Sequence, residues 1–185
     1  LLAIPHHSIL SPKSFHGLRD TLSVLSDTLD AKNSGVLKQC KIDLETACDV
    51  DDITYDEAIA HLKVVEKDFA IVDQALETNT NKGTHHWKNA LKRQIDSLRD
   101  ELEIFMPGFL LQAAPSAFSS LGSMKISTAL SQWETRVKEW QEEIEKYKTT
   151  TQATDEADWI EKLETSITIS MEYVKKQIAL TETLA

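Results

Sequence analysis

The sequence predicts an all-α fold, a bundle of about six mostly antiparallel helices, on three observations. Apolar residues recur at steps of three and four through nearly the whole chain, which places them on one stripe of a helix. Glycine is scarce, at 5 of 185 residues, and no strand pattern competes, although Ile167 to Ile169 is locally rich in β-formers. Short turn signals separate the periodic segments, and short connections make neighbouring helices antiparallel.

The elements follow in order. Ser11-Pro12 reads as a cap followed by proline at the first helical position, where a missing amide hydrogen costs little. Leu18, Leu22, Leu25 and Leu29 carry the first stripe, and Asn33-Ser34-Gly35 breaks it. A shorter helix turns Leu37, Cys40, Leu44 and Ala47 inward. Thr54 and Glu57 fit a capping box, hydroxyl and carboxylate each satisfying an orphan amide. Ala58, Leu62, Val65, Phe69, Val72 and Leu76 form the third stripe, and TNTNKG ends it because Asn and Gly suit turns.

Thr84 is the expected cap of a fourth helix with the inward row Trp87, Leu91, Gln94 or Ile95, Leu98, Leu102 and Phe105. Met106-Pro107-Gly108 stops it, since proline lacks the amide the helix would use. Residues 109–122, apolar with Pro115 and several serines, read as a packed connection with a short helical turn. Leu130, Trp133, Val137, Trp140, Ile144 and Tyr147 then alternate steps of three and four, the spacing of a coiled-coil-like seam. TTTQAT is a polar joint to a last helix carrying Trp159 or Ile160, Leu163, Ile167, Met171, Val174 and Ile178. The segments differ in length and loop chemistry, so no fixed-period repeat is present. One helical domain over 1–185 is expected, with sub-bundles 1–108 and 109–185 as the alternative division.

Charge and motif content exclude several function classes. The formal charge of −10, from 30 acidic and 20 basic side chains without a basic cluster, argues against nucleic acid as a partner. No apolar run approaches the roughly 20 residues that cross a bilayer, so no membrane insertion by this segment is expected. Cys40 and Cys48 lie eight apart in one helical run, too far to pair, and are expected as reduced, small apolar residues. The acids from Asp49 to Glu57 fail the calcium-loop pattern, because Ile53 and Thr54 stand where an oxygen donor and a glycine belong. They read instead as acids at a helix start, favoured by the macrodipole.

None of His6, His7, His16, His61, His85 and His86 falls in a zinc spacing, and adjacent His85 and His86 point about 100° apart on a helix. They read as first-turn residues, solvated or bonded to the preceding loop. No serine elbow and no glycine-rich phosphate loop appears. No catalytic residue, metal ligand or cofactor site is therefore assigned. Two carboxylates brought together from distant helices would leave no motif, so sequence alone does not test for glycoside chemistry. Glu139, Glu142, Glu143 and Glu145 beside Lys146 and Lys148 read as solvated charge pairing. Trp87, Trp133 and Trp140 are the candidates for partner or sugar contact, weighed against the interior role usual for aromatics at helical spacing.

Three stretches carry a resemblance: LLAIPHHSILSPKSFHGL at the start, HHWKNALKRQIDSLRDELEIFMPGF in the middle and DWIEKLETSITISMEYVKKQIALTETLA at the end. Together they resemble the helical region of cyclic β-1,2-glucan synthases, which lies between a membrane-associated glycosyltransferase part and a glycoamylase-like domain. The resemblance implies a non-catalytic scaffold or linker module, on the cytoplasmic side of a bacterial inner-membrane protein. Its partners would be the flanking catalytic domains of the same polypeptide and, through Trp87, Trp133 and Trp140, β-1,2-glucan itself. The start at Leu1 and the end within a helix at Ala185 agree with a segment of a longer chain. A glucan-binding module and a free-standing interaction domain are the alternatives.

Overall fold

The computed structural model describes residues 14–49, 52–106, 122–150 and 154–184. Among the described residues the chain is all-α, with six mostly antiparallel helices: α1 (His16–Asp27), α2 (Lys38–Cys48), α3 (Tyr55–Ala75), α4 (Lys82–Phe105), α5 (Ile126–Thr150) and α6 (Thr154–Leu184). A 3-10 turn, Ser34–Leu37, leads directly into α2. Two compact units divide the chain, Leu1–Glu101 and Leu102–Ala185, and the division falls within α4.

In the first unit the helix directions follow from pairs at opposite ends. Arg19 reaches Glu45 at 3.8 Å while Lys41 donates to Ser26 Oγ at 2.9 Å, so α1 and α2 run antiparallel. Lys88 pairs with Asp73 at 2.8 Å and Arg99 with Glu66 at 3.7 Å, which makes α3 and α4 antiparallel. The exposed pairs mark register rather than stability, since such pairs contribute about 0–1 kcal/mol each. The interior supplies the stability. Leu18, Leu22, Leu25, Leu37, Leu44, Leu62, Val65, Leu91 and Leu98 are all sealed from solvent, each burial contributing about 1.5–3 kcal/mol.

The periodicity finds Cys40, Leu44 and Ala47 on α2 and Ala58, Leu62, Val65, Phe69 and Val72 on α3; the expected Leu37 and Leu76 are buried just outside these helices, and Cys48 and Tyr55 join the inward rows unannounced by the pattern. Thr54 caps α3, its hydroxyl accepting from Glu57 N at 3.0 Å, while the Glu57 carboxylate accepts from that same hydroxyl at 3.3 Å. Three boundaries differ from expectation. α1 begins at His16, after a turn at Ser14-Phe15, and the proposed Ser11-Pro12 cap lies outside the described residues. α1 also ends at Asp27, which leaves Leu29 half-buried beyond the helix. α4 begins at Lys82, so its cap is Asn81 and not Thr84: Asn81 Oδ1 accepts from Gly83 N at 2.8 Å and from Thr84 N at 3.4 Å.

The inward row of α4 shifts accordingly. Thr84 and Lys88 occupy the buried positions of its first turns, ahead of Leu91, Ile95, Leu98, Leu102 and Phe105, and Trp87 is only half-buried. A lysine can hold that position because Asp73 meets its ammonium there.

In the second unit Gln141 Nε2 donates to Met171 Sδ at 3.7 Å, tying α5 to α6. Ile126, Ala129 and Trp133 are buried on α5, and Ile167, Ser170 and Val174 on α6. The seam thus begins a turn before Leu130; the side chains of Leu130, Val137, Trp140, Ile144 and Tyr147 lie outside the described residues. The β-rich Ile167 to Ile169 stretch is helical, because a long amphipathic helix overrides local strand preference. Of the expected polar joint, Thr149 and Thr150 belong to α5 and Thr154 to α6, and residues 151–153 lie outside the described residues, as do residues 109–121 of the connection expected at 109–122.

Candidate functional site

The start of α4 is a closed polar knot. Thr28, at the end of α1, has its hydroxyl 2.7 Å from Leu25 O and 2.8 Å from the Thr84 hydroxyl. Asn81 Nδ2 donates to Thr28 O at 3.3 Å, and Asn81 N donates to Asn79 Oδ1 at 2.8 Å. His85 Nε2 bonds the carbonyl of Asn79, so this histidine ties the first turn to the loop before it. His86 and Trp87 meet edge to face, with centroids 5.2 Å apart at 82°. Beside the knot lies an open depression of about 460 Å³, lined by Thr28, Asp30, Lys32, Asn33, Asn79 and Asn81 among others. Much of that lining is already engaged. Asp30 Oδ1 accepts from Asn33 N at 3.0 Å and from Asn33 Nδ2 at 2.8 Å, and the side-chain Oδ1 atoms of Asn79 and Asn81 take backbone amides.

A second cluster joins α2 to α3. Asp43 on α2 and Asp68 on α3 shift one another's protonation in opposite directions. Asp43 is held below the usual carboxylate range by its interaction with Asp68 first and then by Gln39, whose amide donates to it at 3.1 Å. Asp68 is pushed up to about 6, by burial first and then by Asp43. Asp68 Oδ2 is shut off from solvent and finds no N–H or hydroxyl donor among the described residues.

Cys40 lies beside the pair, its thiol pushed up to about 12 by burial and by the charges of Asp68 and Asp43. Cys48 is raised to about 11, again chiefly by burial. Both cysteines are buried and reduced, and thiols with so little thiolate are poor nucleophiles. Sequence reasoning missed Asp43 and Asp68. The signal was present in their placement: Asp68 sits three residues after Val65 and four before Val72, on the shoulder of the buried row, and Asp43 flanks buried Leu44.

The tryptophans divide. Trp133 is 1 % exposed and stacks on Phe105, with centroids 5.5 Å apart at 22°. Trp87 keeps part of its ring accessible, and Trp140 is on α5 with its side chain outside the described residues. Ser170 Oγ donates to the Ile104 carbonyl at 2.7 Å, joining α6 to the end of α4. A groove of about 230 Å³ between α5 and α6 is lined by Gln141, Glu145, Glu164, Ile167 and Thr168.

Asp43 and Asp68 line neither this groove nor the depression at Thr28. Among the described residues no three His, Cys, Asp or Glu side chains are grouped to hold a metal ion, and no helix is long and apolar enough to cross a membrane. Comparison with protein-family models, characterised proteins and solved structures finds no match to this chain.

Proposed function

We propose that the chain is a non-catalytic helical scaffold module of the kind found in cyclic β-1,2-glucan synthases, positioning catalytic domains that flank it in one polypeptide. The sequence resemblance supplies the family. The observation that supports a scaffold is how Trp133 is used: its indole is committed to the interior, stacked on Phe105, and contributes packing where a sugar site would present an open ring. The test replaces residues 14–184 in the parent polypeptide by a flexible linker. Glucosyl transfer from the sugar nucleotide is expected to continue while chain-length adjustment and ring closure fall. Turnover of β-1,2-glucan or sugar nucleotide by the isolated chain would overturn this reading.

Trp87 supports a second reading, a glucan-binding module. It is half-buried beside His86, leaving part of an aromatic ring open to a sugar face. Titration with β-1,2-glucan separates the two. A saturable change in tryptophan emission that is lost in Trp87→Ala and kept in Trp133→Phe favours binding; unchanged emission favours the scaffold alone.

A further inference from the structure

The depression beside the polar knot belongs wholly to the first unit. Its walls come from residues 28–33, which follow α1, and from residues 75–81, which lead from the end of α3 to α4. Its volume of about 460 Å³ lies within the range of small-molecule pockets, about 300–1,000 Å³. Such pockets are mostly apolar, whereas Ala75 is the one apolar residue in this lining. Asp30 and Lys32 bring opposite charges, so the lining has no net charge to draw an anion or a cation.

Three of the lining side chains are each held by one polar atom and have a second one over. Asp30 Oδ1 takes Asn33 N at 3.0 Å and Asn33 Nδ2 at 2.8 Å, which leaves Asp30 Oδ2 and Asn33 Oδ1. Asn79 Oδ1 takes Asn81 N at 2.8 Å, which leaves Asn79 Nδ2. None of these three remaining atoms has a hydrogen-bond partner among the described residues, and neither do the hydroxyls of Thr78 and Thr80. The bonded atoms restrict the side chains that carry the open ones, so a ligand meets groups whose ordering has already been done by the fold.

Acceptors and donors in one uncharged depression are the complement of hydroxyl groups, each of which both donates and accepts. We propose that this depression binds a small neutral polyol with the bulk of a single sugar ring. Asp30 Oδ2 and Asn33 Oδ1 accept from its hydroxyls, Asn79 Nδ2 donates to one of them, and Thr78 and Thr80 add hydroxyls of their own. Trp87 is absent from the lining, so this site is separate from the ring contact at that tryptophan.

The site is tested by amide nitrogen–proton correlation spectra of the full chain. The titrants are myo-inositol, methyl β-D-glucoside and glycine, each taken to about 100 mM, well above the millimolar Kd that a few hydrogen bonds sustain. Saturable shifts centred on residues 28–33 and 75–83 are expected with at least one of the two polyols. Asp30→Asn keeps the acceptor used by Asn33 and turns the other into a donor; Kd is expected to rise at least about tenfold. Asn79→Asp keeps the acceptor used by Asn81 N and removes the donor, gives a loss of the same order and serves if the first variant does not fold. Lys32→Met and Trp87→Ala are expected to keep the binding. Absence of saturation with both polyols overturns the site, as does unchanged affinity in both Asp30→Asn and Asn79→Asp. Loss of binding in Trp87→Ala overturns it by moving the ligand to the indole. Saturation by glycine alone, lost in Lys32→Met, overturns it by making the depression a seat for a zwitterion.

Discussion

At the scale of single residues, the charge inside the first unit is managed by pairing. Lys88 is 9 % exposed and reaches Asp73 at 2.8 Å, so its ammonium has exchanged water for one carboxylate. Removing the partner leaves that charge stranded. Asp73→Asn is expected to cost about 1–3 kcal/mol in urea unfolding, whereas Lys88→Met, which keeps the packing and removes the charge, costs less. Equal losses in the two variants would show that the pair contributes only through packing. Trp133 makes a larger and simpler prediction: Trp133→Ala costs about 3–5 kcal/mol by deleting the stack on Phe105, and Trp133→Phe costs much less. Asp68 and Asp43 act in opposite senses on stability. The raised Asp68 contributes most in acid and loses its contribution as pH rises through about 6, whereas the depressed Asp43 contributes above its ordinary 3.8 and loses that contribution at lower pH. In thermal melts, Asp68→Asn should therefore gain on wild type as pH rises from 4.5 to 7; parallel curves would contradict it.

At the scale of elements, the sequence was most legible where a helix has one buried face. Cys40, Leu44 and Ala47 on α2, with Leu37 in the turn ahead of it, and Ala58, Leu62, Val65, Phe69 and Val72 on α3 were readable because a 3.6-residue period admits one such stripe. The start of α4 was not readable, for a definite reason. Asn81 and Thr84 are both good cap residues, and the choice was made by Thr28, 56 positions from Thr84, whose hydroxyl draws Thr84 into the interior. Trp87 then lost the inward position to Lys88, since hydropathy gives no hint that Asp73 waits across the α3–α4 pair. The assignment is testable: Asn81→Ala should cost about 1 kcal/mol as a lost cap, and Thr84→Ser, which keeps the hydroxyl, should cost less. The reverse order would return the cap to Thr84. The carboxyl pair stayed hidden for the same kind of reason, because Asp43 and Asp68 lie 25 positions apart and each alone resembles a solvated acid.

At the scale of the whole molecule, the division between Glu101 and Leu102 gives each unit its own interior. Leu62, fully enclosed in the first, is a probe of how far a local loss spreads. Leu62→Ala should raise amide exchange across α1, α2 and α3 while α5 and α6 keep their protection. A uniform rise over all six helices would mean that the units unfold as one. The net charge of −10 belongs to this scale too: it sets a mutual repulsion between copies of the chain at neutral pH, and that repulsion weakens as the solution approaches the sequence isoelectric point near 5.0.

The bond from Ser170 to the Ile104 carbonyl carries a consequence for the order in which the protein is made. The last four carbonyls of an α-helix have no partner within it, and Ile104 is among them because α4 ends at Phe105. Its partner is encoded 66 residues later. During synthesis the first unit has all of its residues in hand well before Ser170 is joined to the chain, and only then does the end of α4 receive its hydroxyl. Until the chain has been made as far as Ser170, the end of α4 therefore leaves that carbonyl to water.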